Sequence, residues 1–304
     1  MFPGCAVGVS RKGSRYILSA GTLAYDAASV TEDTLYDCAS ITKSIPTGSL
    51  ALEFIAVKKL RLKDKVKKHI PEFQNDFGAT IEDLLRYRVR GPRLSDLRFR
   101  TFEQIRTHIF DTGFAAAPGE SIYTNLPTYV LGVVLERVGG ASVAELGHRY
   151  FFEPLEMNHT TFFPTASDCA PSEIQQGREV RGVVHDESSR VFALARRSVG
   201  HAGLFSSAGD LLKFLEALMR REYPAVLKGA EEGLGWEKNA AHFMGSYTSN
   251  DAFGKTGFTG TSLIVDRKKD TALVILSNRT YPTRPPNSTA INTFRRDIAD
   301  IVFG

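Results

Sequence analysis

A chain of 304 residues with 42% hydrophobic and 24% charged side chains is long enough to bury a sizeable core and too apolar to be disordered. No apolar run approaches the roughly 18 residues that a membrane span needs, and three cysteines at unrelated spacings, Cys5, Cys38 and Cys169, exclude a disulfide framework or a cysteine zinc site. The net charge of +4 gathers in two stretches, residues 58–68 and 86–100. No aromatic residues interleave the lysine run in a binding pattern, so a solvated helix face and loop are preferred and no nucleic-acid partner is expected.

In chain order, residues 5–11 and 14–20 run apolar or alternate around Lys12-Gly13, a hairpin signal. Residues 41–57 read as a helix capped near Ser40, with Pro46 and Gly48 predicting a kink or a tight contact inside it. Helical patterns recur at 101–110, 126–138 and 141–150. Residues 164–199 are polar with little periodicity, the mark of a long functional flap. Helix returns at 208–221. Residues 261–266 and 271–277 form a second hairpin around Arg267-Lys268-Lys269-Asp270, and 288–302 a closing amphipathic helix. Strands at both chain ends and helices between them predict an α/β (α+β) fold: one antiparallel sheet built from both termini, flanked by helices. The expected division is a single domain over 1–304, with a sheet part at about 1–58 and 196–304 and a mainly helical insertion at about 59–195. The site would lie in the groove between them.

Three segments carry the chemistry. Ser40-Ile41-Thr42-Lys43 places a serine and a lysine three residues apart, about 60° apart around a helix and so on one face. The amine can then take the hydroxyl proton without a histidine. About one such pair is expected by chance at this composition, so the pattern gains weight only with Tyr123-Thr124-Asn125 and Lys255-Thr256-Gly257. Ser40 is the candidate nucleophile and Lys43 its base, with its pKa lowered by burial, by the helix N-terminus and by Lys255. Tyr123 would relay the proton, its phenolate form favoured by nearby cations. Asn125 would hold a substrate carbonyl or orient Lys43. Lys255, Thr256, Gly257 and Phe258 read as an edge strand: Lys255 and Thr256 for a substrate carboxylate, Gly257 for close approach of the substrate backbone, and the Phe258 N–H with that of Ser40 as an oxyanion hole. Cys38 and His201 read better as buried structural residues than as a second nucleophile or base.

Rival motifs fail. There is no Gly-x-Ser-x-Gly elbow, no His-Glu-x-x-His and no Gly-x-Gly-x-x-Gly, and Gly254-Lys255-Thr256 lacks the first glycine of a phosphate loop, which is Ser249 here. No metal and no cofactor are expected.

The ordered motifs resemble those of the serine β-lactamase-like family of class C β-lactamases, DD-peptidases and related esterases. Pro118-Gly119-Glu120 before Tyr123-Thr124-Asn125 is similar to that family's PGE…YSN element, Glu153-Pro154-Leu155-Glu156-Met157 to its PLGM turn, and Gly233-Leu234-Gly235-Trp236 and Ser277 to Arg284 to later segments. The resemblance implies the β-lactamase/transpeptidase-like fold and an acyl-enzyme on Ser40, with Lys43 and Tyr123 as base and relay. It also implies that Asn278 or Arg284 helps to bind a substrate carboxylate. Two departures stand out. The chain starts at the family's first strand rather than at a helix before it, and the family's LLTHTSGL loop is Leu84-Leu85-Arg86-Tyr87-Arg88-Val89-Arg90-Gly91, with arginines in place of small polar residues. Lys255, where many esterase-like relatives have histidine, favours substrates with a carboxylate.

The expectation is a cofactor-free serine hydrolase acting on an amide, lactam or ester as a small molecule or peptide; the rival is a binding or scaffold protein that kept the fold. The first residues show no secretion signal, so the chain as written reads as cytoplasmic, with a periplasmic or extracellular place open if its N-terminus is trimmed.

Overall fold

The computed structural model describes residues 2–304. Its strands, in chain order, are β1 Gly4–Arg11, β2 Ser14–Gly21, β3 Tyr36–Asp37, β4 Glu173–Gln175, β5 Arg178–Val180, β6 Phe205–Ser206, β7 Glu237–Lys238, β8 Phe253–Thr256, β9 Ser262–Asp266 and β10 Thr271–Ser277. Six form the main sheet in the order β2-β1-β10-β9-β8-β7, every neighbouring pair antiparallel. The two ends of the chain meet in it: β1 lies against β10, from Cys5 opposite Ser277 to Arg11 opposite Thr271. The β1–β2 hairpin closes through Lys12 and Gly13, both at positive φ (51° and 79°), as the favoured two-residue hairpin turns require.

Side chains alternate between the two faces of this sheet. On one face Ala272, Val274 and Leu276 join Leu211, Leu212 and Leu215 of the helix Ala208–Met219 in the main core. On the other, Leu273 and Ile275 pack with Ala299 and Phe303 of the closing helix Thr289–Phe303. β10 is therefore buried along its whole length, as its unbroken run of apolar residues requires. The main core continues without a break into the middle of the chain through Ile105, Ile109, Val130, Val134 and Leu135. Those residues belong to the helices Phe102–Thr112 and Leu126–Gly139. The first is fixed at its start by a reciprocal cap between Thr101 and Gln104; the second ends at Gly140 in the left-handed region, φ 68°. No helix among the described residues is long and apolar enough to cross a membrane.

Two sequence expectations need correction. Residues 41–57 are not one helix. A 3-10 turn, Ala39–Lys43, is followed by a wide turn, Ser44–Gly48, broken at Ile45 (φ −118°, ψ 111°), and only then by the α-helix Ser49–Ala56. Pro46 has no N–H to give a helix ladder, so the break lies where proline and glycine interrupt the pattern. Nor does Ser40 cap it: Ser40 lies inside the 3-10 turn, and the Asp37 side chain anchors that turn by accepting the Ala39 N–H at 2.7 Å. Residues 164–199 are not a bare flap either. They form the small hairpin β4–β5 and the helix Glu187–Leu194, whose N-cap Asp186 accepts the Ser189 N–H at 2.9 Å.

Candidate active site

The turn that carries Ser40 is held from every side. Asp37 accepts the Ala39 N–H with one carboxylate oxygen and the His185 N–H with the other, both at 2.7 Å. Burial pushes its carboxyl up to about 6 against those two donors. The Thr42 hydroxyl donates to the Ala39 carbonyl (2.7 Å) and accepts from the Leu204 N–H (3.1 Å). Thr259 and Thr261 donate to the carbonyls of Asp37 and Cys38. Ala39 itself sits at φ 46°, a left-handed conformation that costs a non-glycine residue roughly 1–2 kcal/mol and that these contacts enforce.

In a 3-10 turn, with three residues per turn, side chains at i and i+3 eclipse. Lys43 Nζ thus lies 2.7 Å from Ser40 Oγ, and it also donates to the His201 carbonyl at 2.8 Å. Lys43 is fully buried. Burial, and secondarily the charge of Lys255, bring its pKa down to about 7, while Asp186 and Glu237 pull the other way. A substantial fraction of this amine is neutral at pH 7.

Tyr123 stands at the mouth, half exposed as a residue. Its ring centroid is 5.3 Å from Lys43 Nζ and 4.6 Å from Lys255 Nζ. Protein packed around the hydroxyl raises its pKa to about 12; Lys255 and a hydrogen bond with Ser40 act against this without prevailing. The expected phenolate is therefore overturned: desolvation outweighs the cation, and the group is a neutral phenol. The Asn125 amide donates to Asp186 Oδ2 at 3.1 Å. Burial works to raise the Asp186 carboxyl, but His201, the Ser188 hydroxyl and the Ser189 N–H hold it well below the usual carboxylate range. The His201 ring, also fully buried, is bound by Ser188 and Ser189. Its backbone carbonyl, not its imidazole, reaches the reacting pair.

Lys255 is fully buried and lies 3.1 Å from Glu237 Oε1, beneath the rings of Tyr87 and Tyr123. The pair is close but poorly aligned as a hydrogen bond. β8 is not a free edge, because β7 covers its first half, Glu237 opposite Gly254. Gly257 follows the strand, and its absent side chain has a structural use: a Cβ there would stand 2.1 Å from Thr261 Oγ1 and 2.5 Å from the Cys38 carbonyl. Glycine lets this segment press against the Ser40 turn. Phe258 is partly exposed, its ring stacked on His185 (5.6 Å) and under Arg279 (5.0 Å). Among the described residues, neither the Phe258 N–H nor the Ser40 N–H donates to a protein acceptor.

Ser40, Tyr123, Asn125, Lys255, Thr256, Gly257 and Phe258 line one groove of about 850 Å³. Asn278 and Arg284 do not line it. The Asn278 amide donates to the carbonyls of Leu23 (2.8 Å) and Pro171 (3.0 Å), and Arg284 is taken up by Glu173 and Glu187. Both hold the loops after β10 and around β4, and neither faces the groove. The buried arginines that do line it are Arg279 and Arg295. Arg295 donates to the carbonyls of Gly257 (2.8 Å) and Thr261 (2.7 Å) and to Asn292 Oδ1 (3.0 Å). Burial, then the neighbouring Arg279, lower its pKa to about 9, so it stays charged at neutral pH. Neither guanidinium has a carboxylate within ion-pair distance among the described residues, and each leaves Nε without a partner. Arg295 had a sequence signal: on the closing helix it falls between Ile291 and Ala299 at a spacing of four, a charge on the apolar face. No cluster of His, Cys, Asp and Glu among the described residues is arranged to hold a metal ion.

The chain belongs to the beta-lactamase family, whose profile, described as "Beta-lactamase", matches residues 1–296; it is a serine hydrolase of that family. It is 27% identical over 320 aligned positions to a protein of Escherichia coli (strain K12) named "Putative D-alanyl-D-alanine carboxypeptidase", covering 84% of this chain and 73% of that one. A protein of the same name from Salmonella enteritidis PT4 is also 27% identical, over 86% of this chain and 73% of its own. In fold the chain is similar to EstCE1, "a hydrolase with promiscuous acyltransferase activity" (TM-score 0.80, 21% identity, 100% of this chain and 94% of that one). It is equally similar to a class C beta-lactamase in complex with cefoxitin (TM-score 0.79, 18% identity, 98% and 94%).

Proposed function

We propose that the protein hydrolyses a peptide ending in a free carboxylate, of the D-Ala-D-Ala type, through an acyl-enzyme on Ser40. The observation that carries the chemistry is the 2.7 Å contact between Ser40 Oγ and a buried Lys43 Nζ whose pKa is brought down to about 7. Neutral Lys43 takes the Ser40 proton as Oγ bonds to the scissile carbonyl carbon. The oxyanion formed is met by the unclaimed N–H groups of Ser40 and Phe258. Tyr123, a neutral phenol, gives its proton to the leaving amine as the C–N bond breaks and is reprotonated from Lys43. Water then enters by the reverse of these proton movements and frees Ser40.

Two features support the substrate class. Arg279 and Arg295 are cations without a carboxylate, at the Gly257 end of the groove, and relatives at 27% identity bear the carboxypeptidase name. A wall peptide of this kind is met outside the cytoplasmic membrane.

The test is a panel of a D-Ala-D-Ala peptide, nitrocefin and a neutral p-nitrophenyl ester, with mass spectrometry after a penicillin pulse. The proposal expects release of D-Ala and a lasting adduct on Ser40. Fast nitrocefin turnover with an intact peptide would make it a β-lactamase instead, and ester turnover alone an esterase. Ser40→Ala is expected to keep the fold and lose all labelling. A folded wild type that neither penicillin nor a fluorophosphonate labels would leave only a non-catalytic binding protein.

A further inference from the structure

A second cavity, of about 840 Å³, lies among the middle helices and shares no lining residue with the Ser40 groove. Its apolar walls include Phe102, Tyr129 and Phe192, whose rings pack on one another. Its charged groups are uneven. Arg137 is engaged by Glu72 and Glu145 by Ser142. Arg106, Arg196 and Arg197 are not engaged by any carboxylate within ion-pair distance among the described residues. They lie against rings instead: Arg197 over Phe102 at 4.4 Å, Arg196 over Phe163 at 4.5 Å and Arg106 over Phe102 at 6.0 Å.

A guanidinium held near a ring rather than in an ion pair keeps N–H donors for an anion, and these fit a carboxylate or sulfonate fork. Against these three cations the cavity sets one further carboxyl. Glu136 accepts the Val143 N–H at 3.2 Å. Burial pushes its pKa up to about 6, with the Val143 N–H and the charges of Arg197 and Arg106 acting against it. Aromatic walls with a surplus of cations in the lining suit a molecule that is apolar in one part and negative in another.

We propose that this cavity is a binding site for an amphipathic small-molecule anion, a ring system carrying a carboxylate or sulfonate. The rings lie against Tyr129 and Phe192, and the anionic group meets Arg106 and Arg197 beside Phe102 and Arg196 beside Phe163. Glu136 repels a second negative charge and fixes which end enters.

The probe is 8-anilinonaphthalene-1-sulfonate, titrated by fluorescence against the full chain. One saturable site is expected, and it persists when a fluorophosphonate has blocked Ser40. The double variant Arg196→Ala/Arg197→Ala is expected to weaken binding tenfold or more, with melting temperature and ester hydrolysis unchanged. Glu136→Gln is expected to tighten it severalfold, and Val133→Trp, which fills the cavity, to remove it. The proposal falls if the wild type shows no saturable binding. It falls equally if the double variant binds within twofold of wild type, or if blocking Ser40 displaces the probe, which would assign the dye to the catalytic groove. None of the binding outcomes depends on what Ser40 hydrolyses.

Discussion

Lys43 is useful as a base because it is held where its charge is unwelcome, and that has a consequence for stability. Its pKa is about 7 in the folded chain against about 10.4 in an unfolded one. Between those values the unfolded chain holds a proton that the folded one has released. Stability therefore rises with pH across the window from 7 to 10.4 and is lost as pH falls through it, by an amount on the order of 5 kcal/mol over the full range. Lys43→Met is expected to flatten this dependence, which urea titrations of both proteins at pH 7, 8 and 9 will read. The same titration sets the activity: kcat/KM of the wild type is expected to climb with pH and level off just above 7, as the amine loses its proton. Tyr123 has no part in that limb, because its phenol ionises near 12. Ser40, Lys43, Tyr123 and Lys255 were legible in the sequence because short spacing or motif order marked them. Asp186 and Glu237 were not, because each reaches the groove by a long-range fold contact and carries no local pattern; His201 was read as structural, and only the fold shows its carbonyl at Lys43. The arginines of the loop after Leu85 left their direction unread; Arg86 and Arg88 prove to line the groove.

At the scale of elements, the exit of β8 is the critical joint. Gly257 gives its N–H to the Thr261 carbonyl (2.8 Å) and its own carbonyl to Arg295. Gly257→Ala is expected to destabilise the protein by about 1–3 kcal/mol through overpacking and to reduce acylation further, since the segment must back away from the Ser40 turn. Denaturant midpoint and the rate of penicillin labelling measure the two effects separately. Arg295→Met is expected to cut kcat/KM for a carboxylate-ended peptide by about 10- to 100-fold, the loss of one charged hydrogen-bonding group, while a neutral ester changes far less. The two terminal hairpins and the closing helix were readable because period-2 and period-3.6 patterns are local. The 39–56 region was not, because proline, glycine and tertiary hydrogen bonds override helical periodicity there. Asn278 and Arg284 were named by resemblance alone, and internal partners claim them.

Across the whole molecule, one contiguous core links the sheet to the middle helices, so the parts are expected to melt together. Trp236 is the sole tryptophan, buried between Phe214 and Phe253 where sheet and groove meet. Its fluorescence and the far-UV circular dichroism are expected to give coincident urea transitions; separated midpoints would mean that the middle helices unfold on their own. The join at Gly257 also makes the crevice lopsided. One bank is a strand clamped to the nucleophile's own turn, with no room for even a methyl group. The lining also includes Arg86, Arg88 and Ser121, whose side chains reach solvent. Substitutions at those solvent-reaching positions leave the nucleophile's turn undisturbed. A library randomised at Arg86, Arg88 and Ser121 is expected to return folded enzymes with shifted preferences, whereas one randomised at Gly257 returns chiefly inactive protein.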